Sequence, residues 1–384
     1  MPESLTETDG RVREIAAGWR EDRAGRLARR HLERDDFDAL RDAGLLRLPV
    51  PVASGGAWEG LEAVRPLCEL YRHLAGADPS VALVSAMHPA VVSYWVLGGG
   101  GDAPGWSGQR EAVFASALAG DQWGTITSEP GSGGDIMRSK AIARPLGSEP
   151  FLAGEAYGVT GDKHFGSGSG ICRWMVTTAV AEGAAAPTIF VLDATDRRWD
   201  GSAGWQLLAE WDGAGMAATQ SHAMRLADAP AARIAWDGPV EDVVLAAAPF
   251  ISTLFTSVVL GVLDEAVGLA RQQLAAKADQ LRAYEQVEWS RAEAEHWLAV
   301  AAYESALRAV GSGAPTALHD AVRAKQLVAE LAEQVLLRLT RVLGGGTFSQ
   351  RSPFSHWFED VRALGFLRPP WGLAFDSIYL TSFG

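Results

Sequence analysis

The sequence predicts an α+β protein in three parts: an N-terminal helical domain (1–120), a central β-barrel or sandwich (121–238) and a C-terminal four-helix-type bundle (239–384). Three observations point there. Up to about Val96 the chain reads as successive helical stretches, the first with apolar residues at irregular helical spacing. Short β-branched and aromatic runs separated by turn residues fill the stretch from Trp123 to Trp236. After Asp237-Gly238-Pro239, long helical stretches follow one another through short connections.

Taken in order, Val12 to Leu32 reads as a first helix rich in Arg and Glu. Phe37 to Leu46 reads as a second, with Asp35-Asp36 as its cap and Gly44 interrupting it near the end. Leu61 to Ala75 is a third. Asp78-Pro79-Ser80 opens a fourth, Val81 to Val96, which carries so few charges that it must be buried. Gly98 to Gly105 is a loop by composition. The strands expected next are Trp123–Thr127, Tyr157–Thr160, Trp174–Val180, Thr188–Leu192, Trp205–Ala209 and Ala231–Trp236. Three long helices close the chain, at about Pro249–Ala283, Glu285–Gly311 and Pro315–Leu343. In the last, Leu327, Leu331, Val335 and Leu339 repeat every four residues.

Bulk properties narrow the functional classes. A chain of 384 residues is too long for one simple core. Its net charge of −13 argues against nucleic acid or an anionic membrane as a partner. Leu245 to Leu263 is apolar enough to raise the question of a membrane span, but Pro249 and four hydroxyl residues within it favour a buried bundle helix. The N-terminus is polar and shows no signal peptide. Cys68 and Cys172 form no metal-binding motif and are expected as buried thiols in a cytoplasmic protein. No metal site is expected. The 14 tryptophans suit core filling, and some could wall an aromatic-ligand pocket.

Two motifs carry the chemistry: Gly124-Thr-Ile-Thr-Ser-Glu-Pro-Gly-Ser-Gly-Gly-Asp135 and Gly161-Asp-Lys-His-Phe-Gly-Ser-Gly-Ser169. In the first, a β-branched run is broken by Pro130-Gly131. Gly133 and Gly134 then leave backbone N–H groups open to the close approach of a flat or anionic ligand. The pair, about thirty residues apart, resembles the flavin-cradling strands of the acyl-CoA dehydrogenase superfamily, which includes the two-component flavin-dependent monooxygenases. Gly44-Leu-Leu-Arg-Leu-Pro-Val-Pro51, Gly215-Met-Ala-Ala-Thr-Gln-Ser221 and Arg341-Val-Leu-Gly-Gly-Gly346 with Trp357-Phe-Glu-Asp-Val-Arg362 extend the resemblance along most of the chain.

The resemblance implies site residues. Thr127 and Ser128 would hold the flavin ring, Phe165 would lie against it, and Ser167 would sit near its reactive N5 edge. Gly344 and Gly345 belong to the matching C-terminal segment. His164, alternating with Phe165, should point away from the flavin face. His88 falls where monooxygenase relatives place a substrate-facing histidine, although a histidine on an apolar helix also suits a satisfied core position. Where dehydrogenases carry their glutamate base, this chain has Arg368. The alternative glutamate position falls at Ile251 or Ser252. A guanidinium cannot take a proton at neutral pH, so Arg368 would instead hold an anionic substrate group or a flavin phosphate. Lys277 and Gln280 stand where dehydrogenases bind the FAD pyrophosphate, which leaves FAD, FMN and transiently bound reduced flavin all open.

The expected function is therefore a flavin-dependent oxidoreductase, a monooxygenase on a small organic substrate before an acyl-CoA or acyl-carrier dehydrogenase. A non-catalytic flavin- or thioester-binding paralogue is the third alternative. A separate flavin reductase and a homodimer or homotetramer built through the bundle are the expected partners.

Overall fold

The structure is a computed structural model that describes residues 5–99, 104–147, 151–367 and 369–382. Its N-terminal part holds α1 (Leu5–Glu21), α2 (Arg23–Ala28), α3 (Arg34–Asp42), α4 (Val64–Ala77), α5 (Pro79–Leu97) and α6 (Pro104–Leu118). The single helix expected over Val12–Leu32 is two, broken at Asp22 and ended where Arg29 turns extended. The break lets Arg26 turn inward, where its guanidinium donates to Asp36 (2.9 Å) and Asp78 (2.7 Å) in the interior. α3 stops before Gly44, whose φ of 95° is left-handed. Asp78 caps α5 by accepting from the Val81 N–H at 2.9 Å. α6 has no counterpart in the sequence reading. Its start is hidden by the Gly-rich run, yet Trp106, Val113 and Phe114 are buried.

The central strands are β1 (Trp123–Thr125), β2 (Ile142–Pro145), β3 (Ala156–Gly166), β4 (Trp174–Ala181), β5 (Pro187–Asp193), β6 (Trp205–Ala209) and β7 (His222–Arg233). β4 pairs in parallel with β2 and antiparallel with β5. From β5 the ladder runs antiparallel to β7, then β3, then β2. That circuit closes on itself, so the alternative of barrel or sandwich resolves to a barrel. β1 adds to β4 and β6 to β7. β7 begins nine residues before the expected Ala231. Its alanine-rich sequence hid a strand that pairing with β3 enforces.

The C-terminal part comprises α7 (Val240–Ala275), α8 (Ala283–Gly311), α9 (Ala317–Leu343), α10 (Pro353–Leu364) and α11 (Trp371–Thr381). Pro249, expected to start the first of these, lies inside α7 instead. The ring removes one ladder donor, and the Thr253 hydroxyl donates to the Pro249 carbonyl at 2.8 Å. α5 and α7 are both long and apolar enough to cross a membrane, but most of each apolar window is buried within the fold, α7 packing on α4, α5 and α9. The four-residue repeat of α9 drifts off its stripe: Val335 and Leu339 are buried, whereas Leu327 is 48% exposed. Four residues turn a helix about 400°, so three steps rotate the stripe about 120°. One apolar core joins all three parts, with α4 and α7, the barrel interior and α9 in contact through it.

Candidate functional site

The two sequence motifs are joined by a buried ion pair. The Lys163 ammonium, fully buried, donates to the Glu129 carboxylate at 2.5 Å and to the Thr178 carbonyl at 2.6 Å. Glu129 also accepts from the Lys140 N–H at 2.6 Å and from the Ser139 hydroxyl. Burial alone would raise this carboxyl, but these donors outweigh it and hold the pKa below the usual range. The two residues thus fix the break after Ser128 against β3. The backbone reinforces this where the His164 N–H donates to the Ser128 carbonyl at 2.8 Å.

β3 ends in an irregularity between Lys163 and Gly166, and Phe165 there adopts a left-handed φ of 56°. Strand alternation therefore fails at this point, and the inference that His164 must face opposite to Phe165 loses its basis. A large aromatic rarely holds such a conformation, and this one is 57% exposed. Its ring meets Trp211 edge-on at 6.0 Å. Trp211 is itself pinned: its backbone N–H donates to His222 Nδ1 at 2.9 Å and its Nε1–H to the Met216 carbonyl at 2.9 Å. Burial lowers the His222 pKa and keeps it a neutral acceptor.

Two residues on, Ser167 is buried, with its Oγ 2.7 Å from Ser221 Oγ, which is 2.7 Å from Thr219 Oγ1. The Thr219 hydroxyl donates to the Met216 carbonyl at 2.8 Å. Met216 in turn gives its N–H to the Asp360 carboxyl of α10 at 2.6 Å. Asp360 is buried near Asp78 and Glu359, and burial raises its pKa to about 7 despite that N–H. Gly215 makes the docking feasible, since a Cβ there would lie 2.0 Å from the Glu359 carbonyl. The C-terminal bundle thus sets the turn that sets Ser167.

The glycine loop is held from the other side. Gly133 and Gly134 have φ of 64° and 82°, and a Cβ on Gly133 would enter open space. A Cβ on Gly134 would strike Pro370 at 2.8 Å, so the loop meets the segment between α10 and α11. That segment is tied by Lys325 of α9, which donates to the Gly365 carbonyl (2.6 Å), the Pro369 carbonyl (2.9 Å) and Gln326 (2.9 Å). Burial lowers the Lys325 pKa to about 7. Arg368 lies outside the described residues. Thr127 and Ser128 are half-buried beside β1. Gly344 caps α9, and no hydrogen bond joins it or Gly345 to the barrel loops among the described residues.

His88 is wholly buried. Its Nε2–H donates to the Leu46 carbonyl at 2.8 Å, and Nδ1 accepts from the Trp123 N–H at 3.3 Å. Burial lowers its pKa to about 4. With both nitrogens engaged it offers no group to a substrate and serves as a core histidine. Sequence reasoning gave no role to Glu129, Lys163 and Trp211. A lysine inside the second motif and a glutamate inside the first were the available signal for the ion pair. Nothing local marks Trp211.

On the two strands joined at Ser128 and His164, Phe165 offers an exposed aromatic ring and Gly133 an open backbone, while the Ser167 hydroxyl lies buried two residues beyond the ring. No family model and no curated protein matches the chain. Solved structures do. FMN-bound TdsC from Paenibacillus sp. A11-2 superposes with a TM-score of 0.78 at 19% identity, over 98% of this chain and 97% of that one. Nitrososynthase from Micromonospora carbonacea var. africana gives 0.79 at 20%, over 98% and 97%. Methanesulfinate monooxygenase MsuC from Pseudomonas fluorescens gives 0.76 at 19%, over 98% and 96%. The helix–barrel–helix order, the barrel closure and these whole-length superpositions establish that the chain has the acyl-CoA dehydrogenase-like fold.

Proposed function

We propose that this protein binds FMN against Phe165 and acts as a monooxygenase on a small organic substrate, with reduced flavin delivered by a separate reductase. The observation that carries this is Phe165 itself. A solvent-facing aromatic held in a left-handed backbone costs on the order of 1 kcal/mol or more, and such strain collects at ligand sites. Bound there, reduced flavin would supply the electrons that activate oxygen. Phe165 and Trp211 would position its ring, Gly133 and Gly134 would admit its close approach, and Thr127 and Ser128 would contact its edge. The similarity in fold to structures described as FMN-bound, as a dibenzothiophene monooxygenase and as a methanesulfinate monooxygenase supports the same reading.

A thioester dehydrogenase needs a general base beside the flavin. Asp360 is committed to Met216, and the described residues from Gly365 to Pro370 carry no carboxylate. That favours the monooxygenase over the dehydrogenase. Two buried, unpaired thiols agree with a reducing cytoplasm. On α8, Tyr284, Val287 and Leu298 share one exposed face, which supports assembly through the bundle with further copies of the chain.

The test is rapid mixing of the protein with reduced FMN and then with oxygen. A transient absorbance unlike either oxidised or reduced flavin is expected. Phe165→Ala should weaken FMN binding at least tenfold while leaving the melting temperature unchanged or higher. Bleaching of bound flavin by an anaerobic acyl thioester would instead establish the dehydrogenase.

A further inference from the structure

The hydroxyl chain behind Phe165 has a direction. A carbonyl oxygen only accepts, so at 2.8 Å from Met216 O the Thr219 hydroxyl must spend its proton there. At 2.7 Å from Thr219, Ser221 must then be the donor, since two oxygens that close need a proton between them. Ser221's only proton is thereby used, so the 2.7 Å contact to Ser167 is made with the proton of Ser167. The order is Ser167 to Ser221 to Thr219 to the Met216 carbonyl. Ser167 has no other hydrogen-bond partner among the described residues, so what remains to it is lone pairs.

From this polarity we infer that Thr219 and Ser221 are positioning residues that make Ser167 an obligate acceptor, so that the site prefers dihydroflavin over oxidised flavin. The inference rests on the proposed flavin site, with Ser167 beside the N5 edge as the resemblance implies. N5 of a flavin carries a hydrogen only in the reduced form and is an acceptor in the oxidised form. An acceptor hydroxyl at that edge meets N5–H favourably and meets oxidised N5 lone pair to lone pair. The preference suits a protein that takes up flavin already reduced by another enzyme and lets it go once oxidised. The terminal acceptor is itself fixed from outside the barrel, because Asp360 of α10 holds the Met216 peptide.

The experiment measures dissociation constants of oxidised and reduced FMN, the latter anaerobically, for the wild type, Thr219→Val, Thr219→Ser and Ser221→Ala. Unchanged circular dichroism confirms folding in each case. The wild type should bind reduced FMN more tightly. Thr219→Val frees Ser221 to donate to Ser167, whose proton then turns to the ligand. The reduced-over-oxidised preference should fall roughly tenfold, about the worth of one hydrogen bond. For a two-electron couple that lowers the midpoint potential of bound FMN by about 30 mV. Ser221→Ala should do the same, and Thr219→Ser, which keeps the hydroxyl, should restore the wild-type ratio. A ratio unmoved by Thr219→Val, or moved equally by Thr219→Ser, would overturn the inference while leaving FMN binding intact. Failure of the wild type to bind either form would instead overturn the flavin site itself.

Discussion

At the scale of single residues, the Glu129–Lys163 pair decides whether the motifs stay together. Both groups are buried, and each satisfies the other's charge with help from backbone groups. Removing one partner leaves a charge with no water and no counter-ion, which costs far more than the pair is worth against an apolar replacement. Lys163→Met should therefore destabilise the protein by about 3–5 kcal/mol, read from urea unfolding. Adding Glu129→Gln to it should cost less than the sum of the two single changes. Additive losses would show that the pair is not coupled. The candidate hydroxyls and glycines were legible at this scale because a glycine turn and a run of hydroxyl side chains are local facts of the sequence. His88 was legible only as a choice between two roles, and its two partners, Leu46 and Trp123, come from distant turns of the chain.

At the scale of elements, α10 reaches across the fold to the turn before β7 through one carboxyl. Asp360 is raised from 3.8 to about 7 by burial, with Asp78 and Glu359 adding to the shift and the Met216 N–H opposing it. Between about pH 4 and pH 7 the folded protein keeps this proton while the unfolded chain has lost it. A raised carboxyl therefore contributes stability that falls as pH rises through that window, at up to about 1.4 kcal/mol per pH unit. Asp360→Asn should flatten the dependence of the urea midpoint between pH 4 and 7. A slope identical to wild type would mean that Asp360 is already ionised. Element types were legible where an apolar or periodic run was long, as in the nearly uncharged α5 and the four-residue repeat of α9. The missed elements share a cause. α6 starts under a glycine-rich run, β2 is four residues long, and β7 is alanine-rich, so pairing and packing rather than local preference make them.

At the scale of the whole molecule, the site is composite. The barrel supplies Phe165 and Ser167, and the bundle supplies Asp360 and the Pro370 segment that rests on Gly134. The exposed α8 face is where we propose that copies of the chain meet. Leu298→Glu should shift the species seen by sedimentation velocity toward the monomer without lowering the helical content. A particle of unchanged size would place any interface elsewhere.

The sequence by itself determined the order of helix, strand and helix regions, because hydrophobic period and turn punctuation are carried by neighbours a few residues apart. It also determined the two motifs and their glycines. Only the tertiary structure decided that the strands close into a barrel, that Lys163 turns inward to Glu129, that His88 is spent on the core, and which way the protons of Ser167, Ser221 and Thr219 run. Each of those depends on a partner far away in the chain. A hydrogen bond or ion pair is fixed by where both of its ends lie, and a one-dimensional pattern records only one end at a time.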